Sequence, residues 1–150
     1  MARGSISHIA LTVSDMDRST AFYNKVLEFI GFKRVEVPKS TQEAMKTRLK
    51  AWAGSGYSIS IRPSKGEFAH RLHDRSAPGF NHLAFHANDR SDVEKLYELL
   101  KEIGATVLDA PAEYPYSPGY FAVYFADPDG LKVEFAYAPG YDRYRAEPNE

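Results

Sequence analysis

The chain contains two copies of one sequence pattern, separated by 74 residues. The segment HIALTVSD, which begins at His8, is matched by HLAFHAND, which begins at His82. The segment GYSISIR from Gly56 is matched at the same spacing by GLKVEFA from Gly130. Because these landmarks recur in the same order at one period, the sequence predicts two copies of a single structural unit.

Each copy has the signals of a βαβββ unit. The helical segments are RSTAFYNKVLEFI, which ends at Gly31, and SDVEKLYELLKEI, which ends at Gly104. Ser91 and Glu94 have the spacing of a capping box, which predicts that the second helix starts at Ser91. The segments around the matched landmarks alternate apolar and polar residues, as half-buried strands do. We therefore expect an α+β fold in one domain, with module one at about 4–62, a linker at 63–78, module two at about 79–138 and a loose tail at 139–150.

Strand alternation places three metal-ligand side chains on one face. The apolar positions of these strands must cover the helices, so the other face lines the concave side of a curved sheet. The side chains on that face include His8, His82 and Glu134. The chain has no cysteine, so a metal would be held by imidazoles and carboxylates. Two histidines and one glutamate suit a divalent metal with open positions, whereas the alternative is that they are structural residues satisfied by hydrogen bonds.

With these residues the chain resembles the vicinal oxygen chelate superfamily of glyoxalase I, fosfomycin-resistance proteins and extradiol dioxygenases. The resemblance extends from HIALTVSD to DPDGLKVEFA. It implies paired βαβββ modules that form a cup-shaped mixed sheet with helices on the outer face, and a homodimer. It also implies one divalent metal ion per site (Zn, Mn, Ni or Fe(II)), held by His8, His82 and Glu134. Glyoxalase I-like members have a fourth ligand where this chain has Ser60.

Two tyrosines and a third histidine are further candidates on the predicted inner face. Tyr124 lies ten residues before Glu134. The resemblance implies that a tyrosine at this spacing contacts substrate, where its phenol can donate a hydrogen bond to a substrate oxygen as a catalytic group. Tyr120 shares its alternation and His86 shares that of His82, so we expect both to contact substrate. The alternative is that these side chains only pack.

Basic residues of module one form another candidate set. If the repeat spacing holds, the inward side chains include Arg48, Lys50 and Arg62, with Trp52 as an apolar wall. Cations there would suit an anionic substrate such as a carboxylate or phosphonate. The alternative is a solvated edge strand.

Composition limits the remaining function classes. Nineteen basic residues nearly balance 20 acidic ones, which argues against binding nucleic acid by bulk charge. No apolar run approaches the ~20 residues of a membrane span, and the first residues show no signal peptide, so we expect a cytoplasmic protein. The resemblance implies a glyoxalase-like lyase or isomerase acting on a small substrate with two adjacent oxygens. The alternatives are an extradiol dioxygenase, a fosfomycin-type thiol transferase, or a metal-free ligand-binding protein of the bleomycin-resistance kind.

Overall fold

The computed structural model describes residues 4–144, which contain eight strands, three α-helices and two short 3-10 helices. The strands are β1 (His8–Val13), β2 (Lys33–Val35), β3 (Lys50–Gly54), β4 (Tyr57–Pro63), β5 (Leu83–His86), β6 (Thr106–Glu113), β7 (Phe121–Ala126) and β8 (Lys132–Tyr137). The helices are α1 (Met16–Ile30), α2 (Lys39–Ala44) and α3 (Arg90–Glu102), with 3-10 helices at Gly66–Phe68 and Pro139–Tyr144. None of the helices in the described range is long and apolar enough to cross a membrane.

The chain divides into two compact units, Met1–His73 and Asp74–Glu150. The first has a four-stranded sheet in the order β1-β4-β3-β2, and the second has one in the order β5-β8-β7-β6. Strand β1 runs parallel to β4, and β5 runs parallel to β8. The other neighbouring strands are antiparallel. The predicted α+β class and the two βαβββ modules are therefore confirmed. The first module also contains the short helix α2, which the sequence analysis did not predict.

Helix α1 is fixed at both ends and buries one face. The Asp15 carboxylate accepts hydrogen bonds from the first backbone N–H groups of the helix. Gly31 ends the helix with φ of 105°, a left-handed conformation that favours glycine. The buried side chains of α1 that pack toward the sheet include Phe22, Val26 and Leu27.

Helix α3 starts earlier than the predicted capping box. Its N-cap is Asp89, whose carboxylate accepts from the backbone N–H of Asp92. The Ser91 hydroxyl also donates to Asp89, at 2.8 Å, so Ser91 does not cap the helix. The prediction was wrong by two residues because aspartate at position 89 competes as the cap acceptor. Gly104 follows the helix with φ of 67°, as the sequence predicted for the glycine after a helix.

Strand β3 faces the opposite way from the sequence prediction. Ser60 of β4 pairs with Ala51, whereas Glu134, its counterpart in β8, pairs with Tyr124. Ala51 and Tyr124, the residues paired with Ser60 and Glu134, are therefore 73 residues apart instead of the 74 of the repeat. The difference arises because the hairpin connections of the two modules differ in length. A slip of one residue turns every side chain of a strand to the other face. Lys50 and Trp52 consequently lie on the face that α1 covers.

Trp52 is part of the core of the first unit, not the wall of a cavity. It is 1% exposed, and its indole N–H donates to Asn24 Oδ1 of α1 at 3.1 Å. Its ring lies 6.0 Å from that of Tyr23 and 5.0 Å from the Arg34 guanidinium. The expectation that Trp52 lines a substrate cavity was therefore wrong.

The predicted tail is only partly within the described residues. Residues 139–144 form a 3-10 helix rather than a loose arm, and 145–150 lie outside the described range.

Replacing Trp52 by alanine tests whether its side chain is part of the core of the first unit. The change removes a buried aromatic ring and leaves Asn24 without one donor, so the free energy of unfolding should fall by about 3–5 kcal/mol. Urea denaturation followed by circular dichroism measures it. Val35→Ala is the control, because Val35 lies in the same sheet but is 40% exposed, and it should cost less than about 1 kcal/mol. Equal stabilities of Trp52→Ala and the parent protein would contradict the placement.

Candidate metal centre

Glu134 is a buried carboxylate at the centre of the second sheet. It lies in β8 between two strands, opposite Tyr124 of β7 and Ala84 of β5. Its side chain is 3% exposed. Burying a carboxylate costs several kcal/mol unless hydrogen bonds or a cation compensate it. The side chains that contact the Glu134 carboxylate therefore determine whether it can serve as a metal ligand.

The two oxygens of Glu134 have different partners. Oε1 accepts hydrogen bonds from the hydroxyls of Tyr120 and Tyr124, the second at 3.0 Å. Oε2 lies 3.0 Å from His82 Nε2. One oxygen is thus held by two phenols, and the other faces an imidazole nitrogen.

The second ring nitrogen of His82 is fixed by its neighbour in sequence. His82 Nδ1 lies 2.8 Å from Asn81 Oδ1. The Asn81 amide nitrogen points to the Arg75 carbonyl at 3.4 Å, which orients the amide so that its oxygen faces His82. Since that oxygen only accepts, a neutral imidazole that donates to it from Nδ1 has its lone pair on Nε2. Such a hydrogen bond from the remote nitrogen is the usual support of a metal-binding histidine.

This donor set fits a divalent metal ion. An imidazole nitrogen and a carboxylate oxygen that face each other at 3.0 Å are ligands suited to Zn, Mn, Ni or Fe(II). Each is oriented by further hydrogen bonds, so little rearrangement is needed for both to bind one ion.

The two tyrosines act as hydrogen-bond donors in this environment. Burial raises the pKa of Tyr124 well above its ordinary value, and the nearby Glu134 charge raises it further. Burial and the hydrogen bond to Glu134 likewise raise the pKa of Tyr120. Both phenols therefore stay protonated at neutral pH.

Tyrosine rings and one lysine surround this cluster. Tyr114 contacts the Tyr124 ring edge-on at 5.3 Å and stacks on Tyr116 at 5.4 Å. Lys132, on β8 with Glu134, places its ammonium 4.2 Å from the centre of the Tyr124 ring. Among the side chains that the structure describes, residues 4–141, no carboxylate forms an ion pair with this lysine.

Sequence reasoning missed the roles of Asn81 and Lys132. A signal existed for each: Asn81 directly precedes His82, and Lys132 shares the alternation of Glu134. His86 pairs with Ala136, on the Glu134 face as predicted, and it is exposed.

The first unit presents His8 on the predicted face. His8 pairs with Ser58, and the next position on this face pairs Ala10 with Ser60. The Ser7 hydroxyl lies 3.3 Å from His8 Nδ1. Arg62 shares this face, and its buried Nε has no hydrogen-bond partner among the described residues.

The other predicted cations lie elsewhere. Lys50 pairs with Ile61, on the face that α1 covers. Arg48 precedes β3 and forms an exposed ion pair with Asp17 of α1 at 3.5 Å. The expectation that Lys50 faces inward was wrong because of the one-residue slip of β3, and Arg48 extends toward α1 instead.

Comparison with known proteins decides the family. The family model described as Glyoxalase/Bleomycin resistance protein/Dioxygenase superfamily matches residues 5–135. The chain belongs to this superfamily. Within it, the chain is 32% identical to YqjT of Bacillus subtilis (strain 168) over 129 residues, which are 85% of this chain and 94% of YqjT.

Two further similar proteins extend the comparison. The metallothiol transferase FosB of Shouchella clausii (strain KSM-K16) is 28% identical over 86% of this chain and 77% of its own length. The solved glyoxylase/bleomycin resistance protein/dioxygenase domain from Frankia sp. EAN1pec is 26% identical with a TM-score of 0.73. That match covers 91% of this chain and 99% of the Frankia chain.

Within each unit, the described residues contain no group of three or more histidine, aspartate or glutamate side chains placed to hold a metal ion. Of the three residues that the sequence predicts as metal ligands, the second unit brings two together, His82 and Glu134.

The raised pKa values of Tyr120 and Tyr124 predict a loss of stability at alkaline pH. A phenol whose pKa is higher in the folded state contributes stability below its unfolded pKa of about 10, and this contribution is lost as pH rises further. The free energy of unfolding of the chelator-treated protein should therefore fall above pH 10, measured by urea denaturation. In the Tyr120→Phe/Tyr124→Phe double variant the same rise in pH should cost less. An identical fall in both proteins would contradict this prediction.

Proposed function

We propose that this protein is a metal-dependent enzyme of the superfamily that acts on a small substrate with two adjacent oxygens. One divalent ion would be held by His82 and Glu134 of the second unit and by His8 of the first, within one chain or between two chains of a homodimer. The observation that carries the proposal is the pair His82 Nε2 and Glu134 Oε2, 3.0 Å apart, each already oriented by other side chains. When bound, the ion supplies Lewis-acid polarisation of the substrate oxygens.

Thiol transfer is the first candidate reaction. FosB proteins, named metallothiol transferases, are similar to this chain over more than four-fifths of its length. In such a transfer the thiol sulfur bonds to a substrate carbon, one carbon–oxygen bond breaks, and the thiol proton ends on the released oxygen. The glyoxalase-like lyase or isomerase expected from the sequence is the second candidate. Ser60 at the position of the fourth glyoxalase I ligand favours the transferase.

Two cations support an anionic substrate. Arg62 shares a sheet face with His8 and has a buried Nε without a partner among the described residues. Lys132 shares the Glu134 face and is held over the Tyr124 ring. A phosphonate or carboxylate would give each of them a charge-assisted hydrogen bond.

Tyr124 is the proposed catalytic donor. Its hydroxyl donates to Glu134 at 3.0 Å, and Tyr120 donates to the same oxygen. Glu134 Oε1 therefore keeps a donor when Tyr124 turns to a substrate oxygen. The protonated phenol then stabilises negative charge that develops on that oxygen.

Metal content tests the proposed ligand set. The purified protein should bind about one divalent ion per chain, and His8→Ala, His82→Ala or Glu134→Ala should each abolish tight binding because three protein ligands hold the ion. Elemental analysis after incubation with Zn, Mn, Ni or Fe(II) and dialysis measures it. Ser60→Ala is the matched control, since Ser60 lies on the same sheet face as His8 but is not a proposed ligand.

Mixed variants distinguish the two arrangements. If sites form between chains, refolding His8→Ala together with Glu134→Ala should restore about one ion per mixed dimer, because one site then receives all three ligands. If sites form within one chain, mixing restores none. A parent protein that binds none of the four metals would contradict the proposed function.

Replacing Tyr124 by phenylalanine tests the catalytic donor. Loss of the hydroxyl should slow turnover by about tenfold or more while the metal content stays that of the parent, because the ring still packs. The assay is turnover of the substrate found by screening fosfomycin with thiols, hemithioacetals, α-keto acids and, with Fe(II) and oxygen, catechols. Tyr97→Phe, on the outer helix α3, is the control. Parent-like turnover by Tyr124→Phe would assign Tyr124 to packing alone.

A further inference from the structure

We infer that Tyr120 is a positioning residue that holds the Glu134 carboxylate in its metal-binding orientation. The inference rests on the proposed function, because it concerns how Glu134 is presented to the ion. It differs from the expectation that Tyr120 contacts substrate, since in the structure its hydroxyl donates to Glu134 Oε1.

The backbone around Tyr120 is tied in place. Tyr120 directly precedes β7, and its N–H donates to the Ser117 carbonyl at 3.1 Å. Its own carbonyl accepts from the Tyr114 N–H at 3.0 Å. These two bonds close the loop between β6 and β7 and fix where the Tyr120 side chain starts.

The Tyr120 ring is confined as well. It contacts Tyr116 edge-on at 5.1 Å and Tyr141 at 5.6 Å, and the residue is 7% exposed. A ring packed in this way has little rotamer freedom, so its hydroxyl stays directed at Glu134.

The two phenols on Oε1 are therefore not equivalent. Tyr124 lies directly across the strand pair from Glu134, and its ring contacts His82 at 6.3 Å and the Lys132 ammonium at 4.2 Å. Its surroundings thus include other proposed metal- and substrate-binding groups. Tyr120 is surrounded by tyrosines of the loop and of the segment after β8, and its hydroxyl donates to Glu134 Oε1.

This arrangement decides which carboxylate oxygen is available. With Oε1 engaged by Tyr120, Oε2 is left on the side of His82 Nε2. Without the Tyr120 hydroxyl, Oε1 would keep only the Tyr124 donor, whose ring also contacts His82 and Lys132, so the carboxylate would be held by one phenol instead of two. Removing such an outer hydrogen-bond partner typically weakens metal binding by about 10–100-fold.

Tyr120→Phe tests the inference, with Tyr124→Phe as the matched control that removes the other hydroxyl from the same oxygen. Mn(II) affinity is measured by isothermal titration calorimetry, and the visible absorption spectrum of the Co(II)-loaded protein reports ligand geometry. We expect Tyr120→Phe to bind Mn(II) about 10–100-fold more weakly and to change the Co(II) spectrum. Tyr124→Phe should change the affinity by less than about threefold and keep the parent spectrum, because Tyr120 still holds Oε1.

Thermal unfolding of the metal-free variants separates positioning from general loss of structure. Because phenylalanine keeps the ring and its packing, Tyr120→Phe should unfold at a temperature close to that of Tyr124→Phe. Parent-like affinity and spectrum in Tyr120→Phe, or equal losses in both variants, would overturn the inference. A parent protein that binds neither Mn(II) nor Co(II) would instead refute the proposed function, so the two failures are distinguishable.

Discussion

The buried carboxylate of Glu134 is the constraint on which the second unit depends. A strand residue that is 3% exposed would ordinarily be apolar, because an isolated buried charge is costly. Here two phenols donate hydrogen bonds to one carboxylate oxygen, and an imidazole nitrogen lies 3.0 Å from the other. The three groups come from β7, the loop before it, and the residue that precedes β5. The sheet order β5-β8-β7 brings these three places to one side chain.

Much of this arrangement could be predicted because strand geometry is regular. Alternation along β5, β7 and β8 was sufficient to place His82, Tyr124 and Glu134 on one face, and the observed register agrees. The sequence repeat was sufficient to predict the two βαβββ modules. Period and alternation are properties of the backbone, so a sequence pattern carries them directly.

The errors arose where the prediction needed exact lengths or exact rotamers. Lys50 and Trp52 were assigned to the wrong face because the module-one hairpin differs from its counterpart by one residue, which alternation amplifies into a reversal. The start of α3 at Asp89 depended on competition between two cap acceptors. The Tyr120 hydroxyl and the Asn81 amide could be located near the site, but their hydrogen-bond partners depend on side-chain torsions that no sequence period encodes.

In the proposed ligand set, His82 Nε2, Glu134 Oε2 and His8 hold one metal ion. Anomalous diffraction from crystals grown with Zn(II), recorded at the zinc absorption edge, would locate such an ion and its ligands. We expect one anomalous peak per chain, about 2.0–2.2 Å from both His82 Nε2 and Glu134 Oε2, with a His8 imidazole nitrogen as the third protein ligand. The absence of a peak at this pair of atoms, or a peak there that no His8 imidazole contacts, would contradict the proposed ligand set.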